Sequence, residues 1–401
     1  MAAVGEDKEG EDVDSRSSDA STPEQCEEFR PRFRVEVLHN VIKDGEILKY
    51  TLNVTDLETG SLAATVKRQY EDFEYLEHCV STSSRVDGVV APAMPPRPPI
   101  DAAKAEEASR RVLGSCSRGL LGDEYRRSCR QLQRYVNALL EHRILGKDVA
   151  LMEFLTKPDP PARAKVKKGI LARLSDSLDA RRATHPDCDE FFQKQRDWLT
   201  QFGPMISDAN DKFDDLVAAE CRMCGQLTHL TTALSFCLYP NTGANAFHNQ
   251  FQARFSDALE AVKEGFEVMA YNDEATLSMC LDWYARSVES LNGMLFRRTC
   301  LMVDYETSNK NLDRAKPHKK EAAEKLKKDA EKAFEECSDV ASLEIKKYHR
   351  ARVQEMQDAI CKYAEVQAMT SRDTYALLAS AYAKFKELPS ALNGSVVGSA
   401  S

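Results

Sequence analysis

Residues 277–295 read LSMCLDWYARSVESLNGML, and their apolar side chains recur in steps of three and four. Such spacing places one apolar stripe along a single face of an α-helix. The same periodicity covers residues 245–388, with one break at residues 316–318, and no Gly or Pro lies between Pro317 and Pro389. Each arm would hold roughly 70 residues and extend about 105 Å. The sequence therefore predicts two long antiparallel helices that either bundle with each other or pair with a second chain.

The stripe at residues 277–295 of the first arm is predicted to be the contact between two chains. Helices of this length do not close a compact unit alone, so their apolar faces need a partner. We call this set the predicted dimer stripe, and it consists of Leu277, Leu281, Tyr284, Val288, Leu291 and Leu295.

Composition limits the class of protein. The chain has 401 residues, 42% of them hydrophobic, but no apolar run approaches the ~18 residues of a membrane-spanning helix. The formal net charge is −9, and residues 1–29 contribute −8 of it. We predict an acidic disordered tail over 1–29, no secretion signal at the first residues, and twelve reduced cysteines.

A front unit begins where the pattern changes to period two. Residues 32–37 and 50–54 alternate around a turn at Asp44 and Gly45, a third strand crosses residues 62–66, and a helix follows. The proline-rich loop at 91–99 and two further helical stretches complete the unit at residue 157. The predicted fold class is α+β: a small three-stranded antiparallel sheet with helices over 30–157, and then an all-α three-helix unit over 183–390.

Residues 158–182 connect the two units. They contain a proline-rich spacer and a basic amphipathic helix with a net charge of +4, which suits an anionic membrane surface. Packing of the same stripe on the helical unit is the alternative interpretation. The helix comprises Lys165, Val166, Lys167, Lys168, Ile170, Leu171, Arg173, Leu174 and Leu178.

The back unit begins with a helix predicted from about Asp187 to Tyr239 and ends before a flexible tail at 391–401. The turn between its long helices carries a basic cluster that could meet lipid phosphates, although a solvated helix face is an equally simple interpretation. The cluster consists of Arg314, Lys316, Lys319, Lys320, Lys325, Lys327 and Lys328.

Catalytic chemistry is not predicted. Cys221, Cys224 and His229 have the spacing of half a zinc site, but no second cysteine pair accompanies them. No phosphate-binding glycine loop, nucleophile elbow or zinc-protease motif occurs, so we predict neither an enzyme nor a cofactor, and no metal.

Two stretches give a family resemblance: VKRQYEDF at 66–73 and FRRTCLMVDYETSNKNLDRAK at 296–316. With the order of sheet, proline loop and long helices, the chain resembles a sorting nexin of the PX plus BAR type. It is most similar to the subgroup of sorting nexins five, six and thirty-two. The resemblance implies a PX domain followed by a dimerising BAR domain.

The resemblance also implies a phosphoinositide pocket, but one that is degenerate here. Gln69 stands where 3-phosphate-binding members carry an arginine, and a neutral amide offers phosphate no charged fork. The pocket residues would be Arg68, Gln69, Tyr70, Arg97, Arg127 and Arg130.

In the subgroup, a cargo peptide adds a strand to the sheet beside a helical insertion, and a Tyr and a Phe line the groove. Tyr125 matches that Tyr, whereas Cys129 replaces the Phe. Tyr125 could equally pack the helix onto the sheet.

The function implied is that of a non-enzymatic coat and cargo adaptor on early endosomes and their tubules, acting in retrograde transport to the Golgi and in recycling. Its partners would be a sorting nexin of the one or two type, transmembrane cargo tails, anionic or phosphoinositide membranes, and retromer and dynactin, without nucleic acid. Alternatives are a homodimeric PX-BAR protein that binds phosphoinositide itself, and a cytoskeleton-linked coiled-coil adaptor.

Overall fold

The computed structural model describes residues 29–82, 86–100, 107, 125–160, 185–236 and 244–387. The predicted acidic tail up to residue 28, the amphipathic helix and the C-terminal tail lie outside these residues. No helix in the described ranges is long and apolar enough to cross a bilayer.

The front unit is built on an antiparallel sheet. Its strands are β1 (Phe33–Val37), β2 (Ile42–Asp44), β3 (Ile47–Asp56) and β4 (Leu62–Gln69). The long strand β3 pairs with β4 on one side and with both β1 and β2 on the other. The predicted turn is present, with Gly45 at a φ of +62°, but it joins β2 to β3. Because β1 and β2 lie end to end along one edge of β3, the sheet has one short strand more than the three predicted.

Among the described residues, three helices cover this sheet: α1 (Tyr70–Ser81), α2 (Arg126–Glu141) and α3 (Val149–Thr156). The alternating apolar residues of β1 and β3 and the inner faces of the helices form one core, which includes Tyr50, Leu52, Phe73, Leu132 and Phe154. Burial of this core is the main source of stability of the unit.

The back unit consists of long helices, as the periodicity predicts. They are α4 (Glu190–Phe236), α5 (Ala244–Asp273), α6 (Met279–Asp313) and α7 (Lys320–Lys386). A π-helical turn at Glu274–Ser278 joins α5 to α6, so the two form one continuous arm. The arm ends at Asp313, and Pro317 begins a short 3-10 turn before α7. The α+β class and the three-helix organisation are therefore as predicted.

The helices of the back unit enclose their own core. Leu291 and Leu295 pack with Phe192, Leu199 and Ile345, and Leu281 and Tyr284 pack in a second cluster that Leu277 and Val288 border. The predicted dimer stripe is thus largely buried inside one protomer, with Leu291 only 2% exposed. The apolar side chains of the long helices that remain exposed lie elsewhere.

Two buried polar groups fix the bundle. The Arg298 guanidinium, 1% exposed, pairs with Asp187 at 2.5 Å and lies 3.6 Å from the centre of the Phe192 ring.

The second buried group is Glu220 of α4, which lies against Asp273 of α5. Burial, and to a smaller extent the neighbouring Asp273 carboxylate, raises the pKa of Glu220 to about 7. This pair therefore holds a proton near neutral pH, because two adjacent buried carboxylates do not both ionise readily.

Candidate functional site

The residues of the predicted phosphate pocket are already bonded to neighbouring groups of the protein. The Tyr70 ring is buried, its hydroxyl donates to the Pro95 carbonyl at 2.6 Å, and burial raises its pKa to about 12. The Arg97 guanidinium lies 4.9 Å from the Tyr70 ring centre and pairs with Glu71 at 2.9 Å and with Glu74 at 3.2 Å. The aromatic wall and the cation are therefore both present, but two carboxylates face the cation that a phosphate would need.

Arg68 and Gln69 serve the fold at this position. Arg68 is fully buried and donates to the carbonyls of Phe154 at 2.9 Å, Pro158 at 3.2 Å and Lys157, at the end of α3. Because a helix leaves its last carbonyls unpaired, this guanidinium caps α3. Burial lowers the pKa of Arg68. Gln69 is the N-cap of α1, where its backbone N–H donates to Asp72.

The other two candidate arginines face the back unit. Arg127 makes a bidentate pair with Asp214 of α4, at 3.1 and 2.9 Å, and Arg130 pairs with Glu274 at 2.8 Å. Burial alone would lower the pKa of Arg127, but the ion pair with Asp214 raises this pKa above its ordinary value. Neither guanidinium joins Tyr70 and Arg97 in one pocket, so the expected phosphoinositide set is divided between two places.

These arginines begin a ladder along α2. Arg134 follows one turn further on and donates to Glu355 of α7 at 2.6 Å and to the Met279 carbonyl at 3.2 Å. Arg127, Arg130 and Arg134 therefore point from one helix face to carboxylates of three different segments of the back unit. Spacing alone could not identify these partners, because the pairs join residues 87 to 221 positions apart.

The back unit also holds the loop after α1. Arg286 donates to the Ala93 carbonyl at 2.7 Å, and Arg297 donates to the Val89 carbonyl at 2.7 Å. Gly88 has a φ of +81° and lies against α7, where a Cβ would collide with the Cys337 carbonyl oxygen. Contacts in both directions thus fix the orientation of the two units.

The predicted cargo residues belong to the core of the front unit. Cys129 is fully buried with its Sγ 3.5 Å from the Leu38 carbonyl, and Tyr125 is 9% exposed just before α2. The adjacent β1 edge is also engaged: Asn137 accepts from Val35 N–H at 2.9 Å and donates to its carbonyl at 2.8 Å, while Gln133 accepts from Val37 N–H at 2.9 Å. We call these three bonds the amide clasp. This arrangement favours the packing interpretation of Tyr125.

The predicted basic cluster lies at the tip of the α6–α7 hairpin. Lys327 is half-buried and the other six cations are exposed. Leu326, 66% exposed, lies among them. Within the part of the chain that the structure describes, no ion pair involves any of the seven, so their charge is available to an anionic surface.

Two exposed apolar stripes, on α4 and α7, were not predicted from the sequence. Positions 205, 209, 212, 216, 219, 223, 226 and 230 of α4 alternate in steps of four and three, and all are exposed. This α4 stripe contains Met205, Leu216, Met223 and Leu230, which are 42–70% exposed. The α7 stripe contains Val353, Ile360, Tyr375, Leu378 and Tyr382, which are 38–73% exposed. The heptad spacing on α4 was the available signal, but Lys212 and Gln226 interrupt it.

The described residues contain no group of three His, Cys, Asp or Glu side chains able to hold a metal ion. Cys224 is buried within α4, with its Sγ 3.8 Å from the Lys263 carbonyl.

Comparisons with known proteins give one domain match and several relatives. Residues 58–158 match the PX domain family. Human sorting nexin-32 is 23% identical over 81% of this chain and 86% of its own length, and sorting nexin-6 of mouse is 23% identical over 78% and 82%. The solved SNX-BAR Mvp1 tetramer aligns with 88% of this chain and 99% of its own at 14% identity, with a TM-score of 0.46.

The chain thus has a PX domain match over residues 58–158, followed by a unit of long helices. The predicted resemblance to sorting nexins of the five, six and thirty-two type is confirmed by the PX match and by these relatives.

Proposed function

We propose that this chain is a membrane coat subunit and cargo adaptor that dimerises through the α4 and α7 stripes and acts on early endosomes and their tubules in retrograde and recycling transport. The partner would be the BAR domain of a sorting nexin of the one or two type, with retromer and dynactin as further contacts. The observation that carries the proposal is the pair of exposed apolar stripes. The endosomal role rests on the resemblance to sorting nexins.

The stripes suit a helical partner. A heptad-spaced apolar seam packs against another helix by placing its side chains between those of the partner. Polar residues within such a seam, as at Lys212 and Gln226, lower stability but select the partner. A stripe of this length would leave a large apolar surface in water if the chain were alone, and soluble monomers rarely expose such patches.

Among the described residues, membrane attraction would come mainly from the tip of the α6–α7 hairpin. The exposed cations of the basic cluster can approach lipid phosphates, and each lysine or arginine near an anionic leaflet contributes about 1 kcal/mol. The Tyr70 pocket would contribute little, since Glu71 and Glu74 already hold Arg97. We therefore propose that this chain binds anionic membranes by charge density, and that selective phosphoinositide recognition belongs to its partner.

The test is sedimentation with phosphoinositide liposomes, with the chain alone and with a sorting nexin of the one type, while light scattering reports the oligomeric state. We expect stronger binding and tubulation in the mixture. Lys325→Glu with Lys328→Glu should reduce binding, whereas Lys384→Glu, an exposed lysine near the other end of the same helix, should not.

Two outcomes would favour the alternatives. Tight and selective binding to 3-phosphate liposomes by a homodimer would make the chain an autonomous lipid sensor. Pelleting with cytoskeletal filaments, without binding to liposomes, would favour the coiled-coil adaptor.

A further inference from the structure

A groove of about 430 Å³ lies where the PX helix α2 meets α6 and α7 of the back unit. Its volume is within the range of about 300–1,000 Å³ that is usual for ligand sites. The floor is apolar and includes the buried Met279 and Cys280, the half-buried Trp283 and small residues such as Ala138 and Ala359. The small side chains leave the space open.

The rim of the groove is acidic. Glu141, Glu355 and Asp358 line it, and Arg134 is the one basic residue among its lining side chains. Arg134 already pairs with Glu355 at 2.6 Å. Glu141 and Asp358 are exposed, and in the described ranges no cation pairs with either. The lining therefore carries an excess of two negative charges.

Arg134 illustrates the chemistry that this groove accepts. Its guanidinium lies 4.4 Å from the centre of the Trp283 ring while it pairs with a carboxylate. A second long cationic side chain could do the same across the groove, with its methylene stem on the apolar floor and its charged head near Glu141 and Asp358. Phosphate-bearing ligands would be repelled by the same two carboxylates.

We propose that this groove binds a lysine- and arginine-bearing peptide segment, such as the cytosolic stretch that follows the transmembrane helix of a cargo protein. The identification rests on the proposed adaptor function together with charge complementarity, because cytosolic segments next to membrane helices are enriched in lysine and arginine. The site differs from strand addition, since it lies between the PX and BAR units and needs no free sheet edge. A peptide bound there would contact both units at once.

The experiment is fluorescence anisotropy of a labelled peptide with alternating lysines and small apolar residues, titrated with the full chain in the absence of membranes. We expect saturable binding that weakens as salt is added. The double variant Glu141→Gln, Asp358→Asn should weaken binding about tenfold, given two partly screened ion pairs. A peptide with glutamine in place of lysine should bind no better than that variant binds the lysine peptide.

The matched control is Glu58→Gln with Asp373→Asn. It changes the net charge equally, with one exposed residue in each unit and neither in the groove, so binding should stay within about twofold of the unsubstituted chain. Ala275→Lys adds a positive charge to the groove without altering a carboxylate and should also weaken binding.

Equal binding by the Glu141 and Asp358 double variant and the unsubstituted chain would overturn the proposal, as would equal affinity for the glutamine peptide. Because the assay contains neither liposomes nor a second sorting nexin, its failure would leave the dimerisation and membrane results to be judged separately.

Discussion

The α4 stripe gives the sharpest prediction about assembly. Replacing Leu216 and Met223 together by glutamate should abolish dimerisation while leaving the protomer folded. Both residues are nearly half exposed, at 42% and 46%, so a charge there costs the isolated chain little. In a dimer the same carboxylates would be removed from water without a partner, which is costly.

The magnitude follows from the exposed fractions. The four large side chains of the α4 stripe each have between about two fifths and seven tenths of their surface left to bury. At about 2 kcal/mol for a fully buried apolar side chain, the stripe could contribute ~4 kcal/mol per protomer. The double variant would lose about half of this and add the cost of desolvating two charges, so we expect dimerisation to weaken by at least a factor of about 10³.

Sedimentation velocity over a concentration series would measure this loss, with circular dichroism as the check on folding. Val149→Glu is the matched control, because Val149 is 71% exposed on the front unit and outside both stripes. Leu291→Glu, in the buried predicted dimer stripe, should instead unfold the bundle. A Leu216 and Met223 variant that dimerised like the unsubstituted chain would refute the assignment of this face.

Three further predictions concern the interior and the junction. Glu220, with its pKa raised to about 7 against an ordinary value of 4.5, holds a proton in the folded chain that the unfolded chain releases, so stability should fall as pH rises from about 4.5 to 7. Glu220→Gln should flatten this profile in urea titrations and stabilise the fold above pH 7 by ~1–3 kcal/mol; an unchanged profile would contradict the shared proton. Arg68→Gln should lower the free energy of unfolding of the PX unit by about 3 kcal/mol, because it leaves buried carbonyls of α3 without donors, and denaturation with urea would measure the loss. Asp214→Arg should speed amide hydrogen exchange along α2 by repelling Arg127, and adding Arg127→Glu should restore protection; absence of rescue would argue against a specific pair.

The long helices were predictable because a 3.6-residue period of apolar residues persists over many turns. The break between them was predictable because a proline such as Pro317 is poorly tolerated inside a helix. The strands of the sheet, except β2, were predictable because apolar and polar residues alternate along them with a period of two. That strand of three exposed residues carries no alternation of its own and exists because β3 extends beyond β1.

The surfaces were less accessible to sequence reasoning. The predicted dimer stripe serves the internal core of the three-helix protomer, and the outer face of α4 carries a weaker apolar pattern with Lys212 in it. The family resemblance implies that the helix arginines bind phosphate, and an arginine offers the same fork to phosphate and to carboxylate. Only the position of Asp214 and Glu274 decides which anion Arg127 and Arg130 meet.

The amide clasp has a consequence for how this PX domain meets other proteins. An unguarded strand edge pairs with almost any extended chain, including the edges of its own copies. Here a visiting strand would first have to displace Asn137 and Gln133 from Val35 and Val37. A strand that binds weakly and without side-chain specificity could not replace these three hydrogen bonds. Only a peptide whose side chains make enough additional contacts to offset their loss could pair with β1 in place of the α2 amides.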